Sequence, residues 1–512
     1  MKLIKLSKIA MAVAALTAAP AAFALTPAQV DGSTARLWLS GASAPTAAVY
    51  KGMLTLCQGM QYKDALGATH TNPGTRDAHL YLESSTAAKL PGSAGDRMAY
   101  TCTVQTDDSR AGSLEGKKVV VFHTVEGGSF NYVTPHISIA GEVNSNLPGT
   151  LKRTSNIEGL SASSQCANGT AENVAVDISG IINRVGVYRG CATTTQTFTA
   201  GQARRAAVTG APDRPEGGFS DTEYTINKLN LSITTTLSSI GTEVPTRIGQ
   251  AFGVAVSYPL YYQLQKNDFT ERKIASGCVA AQYTANSPNL AAACQPSMVA
   301  AKYTAFANAA NIAGLDGSKF GAAAGTKVNL ARRVITSGTQ SASNLRFLNK
   351  PCASGEARGE LNPTRAANST ATVVVTESSS TGGVKTTLTA ATTANELGMG
   401  VVSVENVPVV GTDKWAFVKL NDVSPTVTAG VADAKQRANA ISGSYDFWYE
   451  LVAFTATTAF AEGRDLLSAL TTSLGNPGIT DLTGLFITRD AGVSGTNVSK
   501  FARSGNSCQA PF

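Results

Sequence analysis

Short apolar or β-branched runs alternate along the chain with turns of small residues and with stretches of helical spacing. Residues 36–39 (RLWL) read as a strand, Gly41 permits a turn, Ser43 is placed to cap a helix, and Pro45 fits its first turn. The plan returns at 118–122, where a β-branched run leads to Gly127, Gly128 and Ser129. It returns again in TKVNLARRVITSGTQSASNLRFL (326–348), as strand, Ser-Gly-Thr turn and helix. GGFSDTEYTINKL (217–229) reads as a strand end with its turn, and AFGVAVSYPLYYQLQ (251–265) as a buried strand with a turn at Pro259. Residues 290–312 are Ala-rich and read as helical, 369–392 as a hairpin around a Gly-Gly turn, 397–407 as a strand, and 463–475 as an amphipathic helix. Residues 140–215 are polar and read as a loop-rich insertion. Strands alternating with helices predict an α/β architecture of mixed sheets flanked by helices, with β-rich insertions.

At 512 residues the chain is too long for one ordinary core, so two lobes or more are expected. The first 24 residues read as a signal peptide: Lys2, Lys5 and Lys8, an apolar run broken by Pro20, and the small-residue site Ala22-Phe23-Ala24. The mature chain is expected to start at Leu25 and to work in the periplasm or outside the cell. Losing the three lysines takes the net charge from +7 to +4, mild for this length. No basic run carries interleaved aromatics, so no nucleic-acid partner is expected.

The eight cysteines are Cys57, Cys102, Cys166, Cys191, Cys278, Cys294, Cys352 and Cys508. An even count in an exported chain points to disulfides. Pairing near neighbours gives Cys57–Cys102, Cys166–Cys191 and Cys278–Cys294 and leaves Cys352–Cys508, one pairing among those the sequence leaves open. His70, His79, His123 and His136 lack metal-ligand spacing and read as surface or loop histidines. No metal and no cofactor are implied.

Three segments share one design in which a strand ends, a Gly and Ser or Thr turn follows, and a helix begins: 40–46, 127–129 and 336–339. Helix N-termini present unpaired N–H groups and a partial positive charge, which suits an oxyanion. Each turn alone has an ordinary helix cap as its commoner explanation. The pair Arg332-Arg333 before the third turn adds guanidinium groups suited to bidentate anion pairing.

In order along the chain, SGASAP (40–45), EGGSF (126–130), GGFSDTEYT (217–225), AFGVAVSYPL (251–260), RRVITSGTQSASNLRFL (332–348) and LGMGVVS (397–403) resemble segments of the phosphate-binding proteins of bacterial ABC importers. That family belongs to the periplasmic binding protein class II superfamily, and the resemblance spans about half of the mature chain. It implies a two-lobe fold, lobe one from 25–255 plus 399–512 and lobe two from 256–398, with a hinge near Tyr258 and Gly400. It implies inorganic phosphate or a related oxyanion as ligand, an ABC permease as partner, and a monomer. The ligand contacts it implies are Ser43 or Thr46, Ser129, Asp221, Arg333, Ser337, Gly338 and Thr339. Arg333 would pair with the anion while Arg332 stays solvated. Asp221, as an ionised acceptor, would take a proton-bearing oxygen and reject sulfate. The chain departs from the family in two places. Pro45 and Thr46 displace one hydroxyl of the first loop, and Ile335 stands where an acid would brace the arginine.

Catalysis lacks a comparable pattern: there is no G-x-S-x-G elbow, and the adjacent Asp107 and Asp108 read as a solvated turn. Arg204 and Arg205 read as surface charge, and the aromatic run Tyr445, Phe447, Trp448, Tyr449 as packing. The alternative to a solute receptor is an exported structural or surface-interaction protein that keeps the fold without tight binding. The insertions and the missing acid favour that alternative.

Overall fold

The computed structural model describes residues 34–85, 97–154, 166–167, 171–202, 214–312, 314–354, 358–366, 371–409 and 411–512. The expected signal peptide and the pair Arg204-Arg205 lie outside these residues. A mixed sheet of 14 strands runs through the molecule. In chain order its strands are β1 (Ala35–Gly41), β2 (His79–Leu82), β3 (Arg97–Thr103), β4 (Lys118–Thr124), β5 (Glu172–Ile178), β6 (Ile181–Arg189), β7 (Gly217–Ser220) and β8 (Gly241–Ser257). They continue with β9 (Val328–Arg333), β10 (Val373–Ser378), β11 (Leu397–Ser403), β12 (Trp415–Phe417), β13 (Trp448–Ala456) and β14 (Leu485–Ile487). The order across the sheet is β10-β9-β11-β8-β13-β7-β1-β4-β3-β2-β6-β5, with β12 and β14 also on β8. Among the described residues the helices of eight or more residues are α1 (Thr46–Leu54), α2 (Tyr224–Leu231), α3 (Tyr258–Thr270), α4 (Ala300–Ala307), α5 (Gly338–Leu348), α6 (Thr381–Thr393) and α7 (Ala461–Leu474). The expected mixed α/β architecture is thus found.

Two parallel groups matter for function. Strand β1 runs parallel to β4 and to β7, and β9 runs parallel to β10 and to β11. Their sequences are near-continuous apolar or β-branched runs because both faces are covered, as in VVVF of β4 and GMGVV of β11. Between the groups lie antiparallel β13 and the 17-residue β8. One core gathers Leu37, Leu39, Met53, Val121 and the α7 residues Leu466 and Leu470. Another gathers Phe252, Val254, Leu330, Leu345 and Met399. Strand β8 feeds both, Ile248 entering the first and Phe252 the second. Gly218 keeps β7 against β1, since a Cβ there would lie 1.7 Å from the Ser40 carbonyl oxygen.

Several expectations are corrected. Among the described residues of 140–215, β5 and β6 extend the main sheet and 150–154 pairs with 193–197 as a small ribbon, more strand than the loop-rich reading implies and in line with the β-rich character expected. Residues 369–392 do not form a hairpin, because Val373–Ser378 is a strand and the Gly-Gly pair lies in the first turn of α6. Glycines at a helix start cost little when Ser380 caps the turn by accepting from the Gly383 N–H at 3.2 Å. Pro259 is the second residue of α3 rather than a turn residue, in the first helical turn where a missing N–H costs no intrahelical bond. The Ala-rich stretch is helical only over α4 and short 3-10 turns. Asp108 is buried and paired with Arg110, so only Asp107 is a solvated turn residue.

The histidines differ too. His79, His123 and His136 are buried, and only His70 is exposed. Burial pushes His123 and His136 down to about 3, and Arg214 adds to the effect at His136. Tyr100 meets His123 Nδ1 at 2.8 Å. A base depressed in the fold binds fewer protons than the unfolded chain between its folded value and the ordinary 6.5, so its contribution to stability is lost as pH falls through that window. Raised buried carboxyls such as Asp221 and Glu243 act in the opposite direction, so the histidine share is read as a difference. Between pH 6.5 and pH 4 the parent's urea midpoint is expected to fall relative to that of the double variant His123→Phe/His136→Phe, and a difference that does not change with pH would refute the assignment.

The cysteines pair as Cys57–Cys102, Cys166–Cys191, Cys278–Cys294 and Cys352–Cys508, with none free. Among the described residues no helix is long and apolar enough to cross a membrane.

Candidate functional site

The carboxyl ends of the two parallel strand groups face one cavity of about 230 Å³. In α/β sheets such strand ends carry the loops that hold ligands. From β1 comes Ser43, from β4 the turn Gly127–Ser129, and from β7 Asp221. From β9 come Arg333, Ser337 and Thr339, from β10 the turn 379–382, and from β11 Ser403 and Glu405. Gln250, from the middle of β8, completes the wall. Two backbone-linked contacts close one side: Phe130 N–H donates to the Thr336 carbonyl at 3.1 Å, and Thr336 Oγ1 donates to the Gly127 carbonyl at 3.0 Å.

Asp221 is buried at the end of β7, where Ser129 Oγ donates to its Oδ2 at 2.7 Å. Its other oxygen, Oδ1, is buried with no hydrogen-bond partner among the described residues. Burial pushes its carboxyl up to about 6, against the Ser129 hydrogen bond and the Arg333 charge. Gly338, the first residue of α5, lets the helix start approach this pair. A Cβ there would stand 2.3 Å from Asp221 Oδ2 and 2.6 Å from Ser129 Oγ.

Arg333, the last residue of β9, is buried. Its Nη1 donates to Thr381 Oγ1 at 2.8 Å and its Nη2 to the Ser379 carbonyl at 3.0 Å. The brace expected from an acid at position 335 is thus supplied by the start of α6, and Ile335 packs against the apolar cluster of Phe130 and Tyr132. Arg332 is not solvated: it is buried and ion-paired with Glu377. Strand alternation places the two arginines on opposite faces, so they meet different partners.

Helix α5 is polar in sequence yet buried along almost its whole length. Several of its polar groups are satisfied within the protein, as buried polar groups usually are. Gln340 Oε1 accepts from the Arg333 N–H at 3.1 Å, Gln340 Nε2 donates to Asn344 Oδ1 at 2.9 Å, and Ser341 Oγ donates to Asn227 Oδ1 of α2 at 2.7 Å. Ser337 holds the N-cap position in extended conformation without a side-chain capping bond, so capping does not occupy its hydroxyl.

Of the residues singled out from sequence, Ser43, Ser129, Asp221, Arg333, Ser337 and Thr339 line the cavity. Gly338 abuts it through Asp221. Thr46 does not line it: the side chain is buried and Oγ1 donates to the Ser43 carbonyl at 2.6 Å. Ser43 is exposed and caps nothing, because Pro45 holds the N-cap position of α1.

Sequence reasoning missed the turn 379–382, Gln250, Ser403 and Glu405. The turn carried the same signal as the others, a β-branched run followed by Ser, Thr and Gly, which the hairpin reading hid. Glu405 sits just past β11, where Ser403 Oγ donates to Oε1 at 2.6 Å and Gln250 Nε2 donates to Oε2 at 3.2 Å. Burial raises its carboxyl above the ordinary range, and the nearby Asp221 charge adds to this. Gln250 Oε1 is buried without a partner among the described residues. Gln250 lies inside a long strand, where nothing local marks it. Among the described residues no group of three or more His, Cys, Asp or Glu could hold a metal ion.

No family model matches the chain, and no curated protein matches it. Among solved structures it is similar to a putative phosphate ABC transporter substrate-binding protein with bound phosphate from Clostridium perfringens. That match has 12% identity and a TM-score of 0.29, over 53% of this chain and 86% of that one. It is also similar to a possible phosphate binding protein from Planctomyces limnophilus, with 12% identity and a TM-score of 0.26, over 51% of this chain and 66% of that one.

Proposed function

We propose that this is an exported solute-binding protein that captures phosphate or a similar oxyanion between two lobes, 25–255 with 399–512 and 256–398, for ABC-type uptake. The observation that carries the reading is the buried Asp221 carboxylate, its Oδ1 unpartnered, close enough to Arg333 to feel its charge at the start of α5. The guanidinium, the hydroxyls of Ser337 and Thr339 and the N–H groups at the helix start would donate to anionic oxygens. Asp221 Oδ1 would accept from the proton-bearing oxygen, which fully deprotonated sulfate lacks. The chain would cross between the lobes near Tyr258 and Gly400, and ligand capture would draw the lobes together.

The variant Asp221→Asn tests this. A carboxyl raised from 3.8 to about 6 in the fold carries a burial cost that is absent below the unfolded value and complete above the folded one. At about 1.4 kcal/mol per pKa unit this is about 3 kcal/mol at pH 8. The ligand-free variant is therefore expected to be more stable than the parent at pH 8 and equal to it near pH 3.5. By titration calorimetry it should bind phosphate more weakly and reject sulfate less. Unchanged phosphate affinity together with unchanged sulfate rejection would remove Asp221 from the site.

A further inference from the structure

The cavity lining carries unlike groups. Arg333, Ser337, Thr339 and the start of α6 offer donors. Gln250 and Glu405 offer acceptors beyond the one an oxyanion needs. Gln250 is 1% exposed and its Oε1 has no partner among the described residues. Its orientation is fixed because Nε2 donates to Glu405. Glu405 stands beside it, held as an acceptor by Ser403 and Gln250. Two carboxylates, Asp221 and Glu405, thus share the cavity with Arg333, and a plain dianion meets more negative charge than positive. The space points the same way. At about 30 Å³ per water, 230 Å³ admits roughly seven water-sized groups, more than the four oxygens and one phosphorus of orthophosphate.

We propose that the ligand is an aminoalkyl phosphoryl compound, its phosphoryl group on the Arg333 side and its ammonium received by Glu405 and Gln250 Oε1. This rests on the oxyanion reading of the same cavity. An ammonium brings three donors and a positive charge, which satisfies the orphaned amide oxygen and offsets the second carboxylate. Asp221 keeps its part toward a proton-bearing phosphoryl oxygen.

The test is calorimetric titration of the mature protein with inorganic phosphate, ethylphosphonate, 2-aminoethylphosphonate and phosphoethanolamine, each also against Glu405→Gln. The amino compounds are expected to bind the parent at least about tenfold more tightly than ethylphosphonate, as for a desolvated charge pair. In the variant the gap should close to within about threefold. Comparing 2-aminoethylphosphonate with phosphoethanolamine shows whether the phosphonate or the ester is the source. Phosphate binding with no preference for the amino compounds, or a preference undiminished in the variant, would overturn this inference and leave the oxyanion reading standing. Failure of all four ligands would overturn both. If the variant does not fold, the parent's ratio of affinities still decides the matter.

Discussion

Replacing Arg333 by alanine is expected to weaken oxyanion binding by about 2–5 kcal/mol, from about thirtyfold to several thousandfold in dissociation constant. The guanidinium is buried and its plane is set by Thr381 and the Ser379 carbonyl, so it enters the site already oriented. Little side-chain freedom remains to be lost on binding, which is what makes a fixed arginine effective. Arg333→Lys should recover only a small part of the loss, because an ammonium cannot hold Thr381, Ser379 and an anion in one plane. Thermal melts of the ligand-free variants separate the structural share of the effect, since Arg333 also ties β9 to the loop after β10. A folded Arg333→Ala protein with parental affinity would contradict the assignment.

Removing the Cys352–Cys508 bridge is expected to cost about 3–5 kcal/mol of stability. The bridge closes 156 residues of chain, a long loop whose unfolded entropy it restricts. It also anchors the C-terminal segment, where Ser507 donates to the buried Glu223 and Arg503 Nε donates to the Trp448 carbonyl at 3.0 Å. Glu223 precedes α2, and α2 is bonded to α5 through Asn227 and Ser341. Loosening this end should therefore reach the helix whose start bounds the cavity. The double variant Cys352→Ser/Cys508→Ser should show a lower guanidinium midpoint and a weaker ligand affinity. A midpoint within error of the parent would show that the tail is held without the bridge.

The sequence pattern was informative where local chemistry repeats. Strand β4 with Gly127 to Ser129, β7 with Asp221, and β9 with the Ser-Gly-Thr turn all lie as their residues suggest. After β4 and β9 a small-residue turn and a helix start are local features that no tertiary contact overrides, and the short GGFS strand of β7 leads through Asp221 to α2. The hidden parts depended on distant neighbours. Gly382 and Gly383 read as a hairpin turn because glycine is common to hairpin turns and helix starts, and only the packing of α6 against β9 and β11 decides between them. His123 and His136 read as surface residues because a polar name says nothing of burial within a strand or helix that is covered on both faces. Arg332 read as solvated because its partner, Glu377, lies on the neighbouring strand 45 residues later. Glu405 and Gln250 come together only through the pairing of β8 with β11. The second acid of the cavity was therefore invisible in the order of residues.

The measurement that bears most directly on the central claim is equilibrium dialysis of labelled phosphate against the purified mature protein at pH 7, beside Arg333→Ala. Saturable binding of one anion per chain is expected, displaced by arsenate or an alkylphosphonate but not by sulfate, and weakened in the variant. No binding of phosphate, arsenate or any phosphonate at millimolar concentration would contradict it and favour a structural or surface-interaction role.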